Sequence, residues 1–164
     1  MISLLSIIGK PTIHPFLFFS GKISGYLAWI LFLLIIFNVE IIGKQYDNIL
    51  INILSFVILS AGLAFIVLSN VNLGRSNRLG LPEDNDNTAL KTGGIYRISR
   101  NPMYVGFNLL TLSSIIYSAN ILIAIPGVYS IFIYHLIILG EEKFLKARFG
   151  ASYADYKKKV RRYV

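Results

Sequence analysis

The sequence predicts an all-α, polytopic membrane protein. It has about four transmembrane helices, a short N-terminal interfacial or re-entrant helix and a cytoplasmic, helical C-terminal tail. Three observations predict this. Hydrophobic residues make up 55% of the 164 residues and charged residues only 15%. The apolar residues gather into runs close to the roughly 20 that a membrane-spanning helix needs, and so short a chain cannot bury several such helices on every side. Positive charge is also one-sided. Four spans put the N-terminus, residues 72–101 and the tail on one face. That loop carries five Lys/Arg and the tail eight, whereas the connection on the other face carries only Lys44. The positive-inside rule assigns loop and tail to the cytoplasm.

In chain order, residues 1–15 open with an apolar run, 2–8, followed by Gly9, Lys10 and Pro11. That run is too short to span, so it reads as an interfacial or re-entrant helix. It lacks the basic start and small-residue cleavage site of a secretory signal and is expected to be retained. The first span covers 16–37. Lys22 interrupts it near one end, where a lysine can snorkel to the interface, and Tyr26 and Trp29 add aromatic weight. A polar connection, 38–48, contains Glu40, Lys44 and Asp47. The second span, 49–71, carries no charge, and its Ser55, Ser60, Ala61, Gly62 and Ala64 allow close helix contact.

Residues 72–101 form the longest hydrophilic stretch. Glycines at 74, 80, 93 and 94, Pro82, and Leu79, Leu81, Leu90 and Ile95 mark it as ordered and functional rather than as a low-complexity linker. The third span runs from Pro102 to about Tyr117, roughly 22 Å of helix at 1.5 Å per residue, so its start lies below the interface. Ser118-Ala119-Asn120 turns the chain into the fourth span, 121–139, with a kink predicted at Pro126-Gly127. From Glu141 the tail is charged and ends KKKVRRYV.

Composition excludes several chemistries. With no cysteine there is no disulfide, thiolate ligand or cysteine nucleophile. His14 and His135 alone do not build a zinc site, so no metal is expected. The net charge of +8 fits orientation and contact with anionic membrane lipid rather than nucleic acid.

The chemistry concentrates in residues 88–106, TALKTGGIYRISRNPMYVG, read together with Glu141-Glu142. Gly93-Gly94 lets the main chain turn and approach a ligand. Asn101-Pro102 forces an extended residue before a helix start, whose free N–H groups lie beside Arg97 and Arg100. Tyr96 and Tyr104 offer flat faces to a ring or a cation. Taken alone, Glu141-Glu142 reads as a solvated pair bonding to Lys143 or Lys146, and Arg97 and Arg100 read as lipid-phosphate anchors. Topology puts both segments on one face, where together they can form a pocket for a nucleotide-like cofactor.

GIYRISRNPMYVG, followed about 35 residues later by EEKFLKARFGASYADYKKKV, resembles the isoprenylcysteine carboxyl methyltransferase family, which is related to the phospholipid methyltransferases. Gly94, Tyr96, Arg100, Pro102, Tyr104 and Gly106 match the first motif. Glu141, Glu142, Leu145, Phe149, Gly150, Tyr153 and Tyr156 match the second. Residues 74–84, GRSNRLGLPED, are similar to prokaryotic members. The resemblance covers about 72–164. It implies a single domain, 1–164, with N-terminal helices over 1–71 and a cofactor-binding catalytic core over 72–164, in the cytoplasmic membrane of a prokaryote.

The resemblance further implies S-adenosylmethionine as methyl donor. Leu90 and Lys91 would contact it through backbone. Tyr96, Arg100, Asn101, Pro102 and Tyr104 would line its pocket, and Glu141 and Glu142 would close it. The family's usual histidine is Asn101 here, which can bind but cannot titrate. His135, seven residues before Glu142 on one helix face, either borders the substrate cavity or hydrogen-bonds between helices; His135 and Glu142 are the catalytic candidates. The arginines that precede the glutamates in prenylcysteine-carboxylate enzymes are replaced by LIILG, residues 136–140. An amine-bearing or neutral lipophilic acceptor entering from the bilayer is therefore expected. The alternatives are an NADPH-dependent reductase of the sterol-reductase type, whose members resemble the same C-terminal region, and a non-catalytic membrane scaffold.

Overall fold

A computed structural model of the chain describes residues 11–39, 43–44, 47–73 and 89–164. The expected N-terminal helix and the 74–84 similarity lie largely or wholly outside these residues. Four α-helices follow in order: α1 (Pro15–Ile36), α2 (Ile49–Leu73), α3 (Pro102–Ser118) and α4 (Ile121–Lys159), with a 3-10 turn at Gly94–Arg97 before α3. Among the described residues there is no strand.

Local chemistry sets the helix ends. Pro15 and Pro102 begin α1 and α3, where a missing N–H costs nothing. The Asn48 side chain accepts from the Leu50 and Ile51 amides at 2.9 and 3.3 Å, capping α2. Asn120 accepts from the Leu122 amide at 2.9 Å and caps α4. Ala119, in the left-handed region at φ 49°, closes α3, so the turn expected at 118–120 is present.

The apolar runs suit three of these helices to a membrane. α1, α2 and α4 are long and apolar enough to cross a bilayer. α3, with 17 residues, is about 26 Å long against a hydrocarbon core of about 30 Å, so it is the short helix that the sequence predicts. Outward-facing Leu50, Ile53, Val57, Val67 and Val71 line α2 and form a surface suited to lipid. α4 continues well past its apolar half. Backbone angles depart from helix at Gly150 (φ 49°, ψ −119°), not at Pro126, so the predicted bend falls at the glycine of the second motif.

The helices pack as two main pairs, α2 with α3 and α1 with α4, with α3 also touching α1 and α4. Small residues set the close approaches. A Cβ on Gly106 would come within 2.8 Å of the Gly62 carbonyl oxygen, and one on Gly21 would overlap Ile133. Hydroxyls bridge helices where the interior is apolar: Ser113 donates to the Ser55 carbonyl at 2.8 Å, and the Trp29 indole N–H donates to Thr111 at 3.0 Å.

The bundle has two distinct ends. At one, Asn120 donates to the Gly43 carbonyl at 3.0 Å and the Lys44 ammonium lies 4.2 Å from the centre of the Tyr117 ring. At the other, Thr12 reaches the Ile137 carbonyl at 3.3 Å and packs on Gly140. The 3-10 turn, the start of α3, Glu141-Glu142 and the last residues gather at this second end.

Candidate functional site

The two adjacent glutamates point in different directions. Successive residues of a helix are about 100° apart, so neighbours serve different faces. Glu141 shares its face with Tyr134, Ile137 and Ile138, which are buried. Its Oε1 accepts a 2.5 Å hydrogen bond from the Tyr104 hydroxyl of α3. Aromatic rings continue inward from there. Tyr104 lies 5.8 Å from Tyr134 and 6.2 Å from Phe107, and Phe107 lies 5.5 Å from Trp29 of α1. A half-buried carboxylate therefore ends an aromatic interior built by three helices.

Glu142 turns to the chain's final residues instead. Its Oε1 accepts from Arg100 at 2.8 Å, from the Arg162 Nε at 3.0 Å and from Asn101 at 3.4 Å, and its Oε2 accepts from Arg162 at 2.9 Å. Burial alone would raise this carboxyl, but the hydrogen bonds from Arg162 and Arg100 outweigh it and hold it below the ordinary carboxylate range.

The same residues bind the backbone of 160–162. The Arg100 amide donates to the Arg161 carbonyl at 2.9 Å, and its guanidinium donates to the Val160 carbonyl at 2.6 Å. Ser99 and Asn101 both donate to the Arg162 carbonyl, at 3.0 and 3.2 Å. Asn101 precedes α3 but its side chain does not cap the helix; it is spent on this strap. Tyr156 donates to the Tyr96 carbonyl at 2.6 Å and ties the tail helix to the 3-10 turn.

The predicted site residues thus divide into two groups. Tyr104 and Glu141 meet. Arg100, Asn101 and Glu142 meet as well, but around Arg162, as an ion cluster fastening the tail. Tyr96 and Pro102 are buried between the groups; Leu90 is half-buried and Lys91 exposed on the approach to Gly93. Gly94 takes φ 58° and sits against Asn72, where any Cβ would clash, and a Cβ on Gly93 would meet open space. The His135 Nδ1 lies 2.6 Å from the Tyr163 hydroxyl, with the two rings stacked, so His135 serves the face that meets the tail. No motif flags Arg162, Tyr163 or Ser99. Their one signal is the density of basic and aromatic residues at 157–163. Among the described residues no group of His, Asp and Glu is placed to hold a metal.

A bundle of apolar helices with a polar cluster at one end is the architecture of an integral membrane protein, and that cluster is the candidate site. The phospholipid methyltransferase family model matches residues 50–152, more than half of the chain, and the chain belongs to that family. It is similar to the protein-S-isoprenylcysteine O-methyltransferase of Schizosaccharomyces pombe, 29% identical over 127 residues that cover 71% of this chain and 53% of that relative. The chain spans about half the length of that curated relative. No solved structure matches it. The family match agrees with the resemblance that the two motifs carry.

Proposed function

We infer that the chain transfers a methyl group from S-adenosylmethionine to a small lipophilic acceptor that enters from the bilayer. The observation that carries this reading is the Tyr104–Glu141 hydrogen bond at the end of the aromatic interior. The residues present suit such a donor. Glu141 offers carboxylate oxygen to hydroxyls or to a cation, Tyr96 and Tyr104 offer ring faces, and the open space at Gly93 lets a ligand reach the backbone of Leu90 and Lys91. When bound, the donor supplies an electrophilic methyl on a cationic sulfur.

The chain's own residues orient and exclude water. Displacement at methyl needs the nucleophile held in line and a dry site rather than a strong acid or base. Asn101 agrees with this, because it holds neighbours and moves no proton. The ion cluster around Glu142 fixes the start of α3 and thereby aims Tyr104. One-sided charge supports a cytoplasmic site in a cell's inner membrane, reached by the donor from water and by the acceptor from lipid.

Incubating purified protein with methyl-labelled S-adenosylmethionine and membrane lipid extract should give an organic-soluble labelled product. The absence of label across extracts of varied lipid composition would count against this function.

A further inference from the structure

The ion cluster that fastens the tail carries a net charge. Arg100 and Arg162 both bond to Glu142, so two guanidinium groups share one carboxylate and one positive charge is left over. Glu141 does not balance it, because it serves another face of α4 and accepts from Tyr104. Asp155 is on the exposed side of the tail and pairs with Lys158 at 3.0 Å. With the Arg100 side chain only 6% exposed, water screens the excess charge poorly.

Two donors at the same place are also unspent. The Arg100 Nη1 reaches the Lys157 and Val160 carbonyls at 3.4 and 2.6 Å, and its Nη2 reaches Glu142 at 2.8 Å. Its Nε is buried and bonds to nothing among the described residues. The Tyr153 hydroxyl is in the same condition, on a residue only 2% exposed. Tail geometry brings the two together. Tyr153, Lys157 and Val160 follow at i, i+4 and i+7 along one face, and Arg100 grips the carbonyls of the last two. The Tyr153 oxygen therefore lies beside the guanidinium, outside hydrogen-bond geometry. Tyr156 on the same face is already committed to the Tyr96 carbonyl.

Buried polar groups nearly always find partners, so two bare donors beside an unbalanced positive charge call for an acceptor that is also an anion. We propose that Arg100 and Tyr153 form an oxyanion site, in which the Arg100 Nε–H and the Tyr153 O–H donate to the oxygens of a phosphate group. A water molecule can accept both hydrogen bonds but leaves the charge unbalanced. Arginine and phosphate match in geometry as well as in sign. Exposed Lys157, Lys158, Lys159 and Arg161 draw anions to this end of the bundle. The phosphate comes either from a phospholipid headgroup or from free phosphate; both offer the same oxygens. Once held, it ties the tail helix to the start of α3 through groups other than Glu142. The site does not depend on the donor assigned under the proposed function.

The test follows thermal unfolding of the detergent-purified full chain in two matched pairs of additives. Inorganic phosphate is compared with chloride at equal ionic strength, and dihexanoyl phosphatidylglycerol with the zwitterionic dihexanoyl phosphatidylcholine. A ligand that binds only the folded chain raises its midpoint. Phosphate should raise it above chloride, or phosphatidylglycerol above phosphatidylcholine, and the probe that half-saturates at the lower concentration is the source. Tyr153→Phe keeps the ring and removes the hydroxyl, so it should weaken that binding about tenfold or more. Lys158→Gln, on the exposed side, should change it less than about threefold. No difference within either pair, or an oxyanion effect that survives Tyr153→Phe unchanged, would overturn the site. If Tyr153→Phe does not fold, Lys158→Gln decides. A preference retained there supports the buried site, and a preference lost there assigns the binding to surface lysines and overturns it.

Discussion

Replacing Glu141 with alanine is expected to weaken S-adenosylhomocysteine binding about 100-fold, while the purified chain remains folded in detergent. A charge-assisted hydrogen bond contributes roughly 1.5–3 kcal/mol, and a factor of 100 corresponds to about 2.7 kcal/mol. The fold should tolerate the change, because the Glu141 carboxylate bonds to a hydroxyl and not to a buried guanidinium. Tyr104→Phe keeps the ring and removes only the donor, so its effect should be smaller, about tenfold. Titration calorimetry on both variants measures these losses. Unchanged affinity in both would sink the pocket assignment.

Glu142→Ala should do the reverse and act on stability first. The Arg100 side chain is only 6% exposed and the Glu142 side chain 8%, so the substitution strands a buried positive charge and costs about 3–5 kcal/mol. Arg162 is 31% exposed and can turn to water, so Arg162→Ala should cost less, about 1–2 kcal/mol. Thermal unfolding in detergent should rank the variants in that order, with Glu141→Ala near wild type. The pH dependence has a definite sign. Because folding lowers the Glu142 value, its contribution is complete above the ordinary 4.5 and disappears as pH falls through the folded value. If Glu142→Ala melted with wild type, the ion cluster would not be what fastens the tail.

Much of the architecture is legible in the sequence because hydrophobic length and charge asymmetry are one-dimensional properties. The apolar runs mark α1, α2 and α4; Pro102 and Ser118-Ala119-Asn120 bound α3; and the two motifs fall at the end of the bundle that carries the candidate site. The division of labour between Glu141 and Glu142 is not legible. It depends on the 100° step between neighbours and on where residues 160–163 fold back, and neither follows from spacing. The surroundings of Lys22 are not legible either: its ammonium stands 4.0 Å from the centre of the buried Phe18 ring, a contact that spacing does not show. The bend at Gly150 escapes a sequence reading because proline is the stronger breaker by composition. Pro126 lies in the second turn of α4, where the amide it removes matters less than at mid-helix, while Gly150 takes a positive φ that other residues resist.

We propose that the Tyr104–Glu141 end of this bundle holds S-adenosylmethionine. Calorimetry on the detergent-purified protein with S-adenosylmethionine, S-adenosylhomocysteine and NADPH decides this. Saturable binding of the first two and none of NADPH is the predicted result. Binding of NADPH alone would make the protein a reductase, and no binding of any of the three would contradict an enzymatic site here.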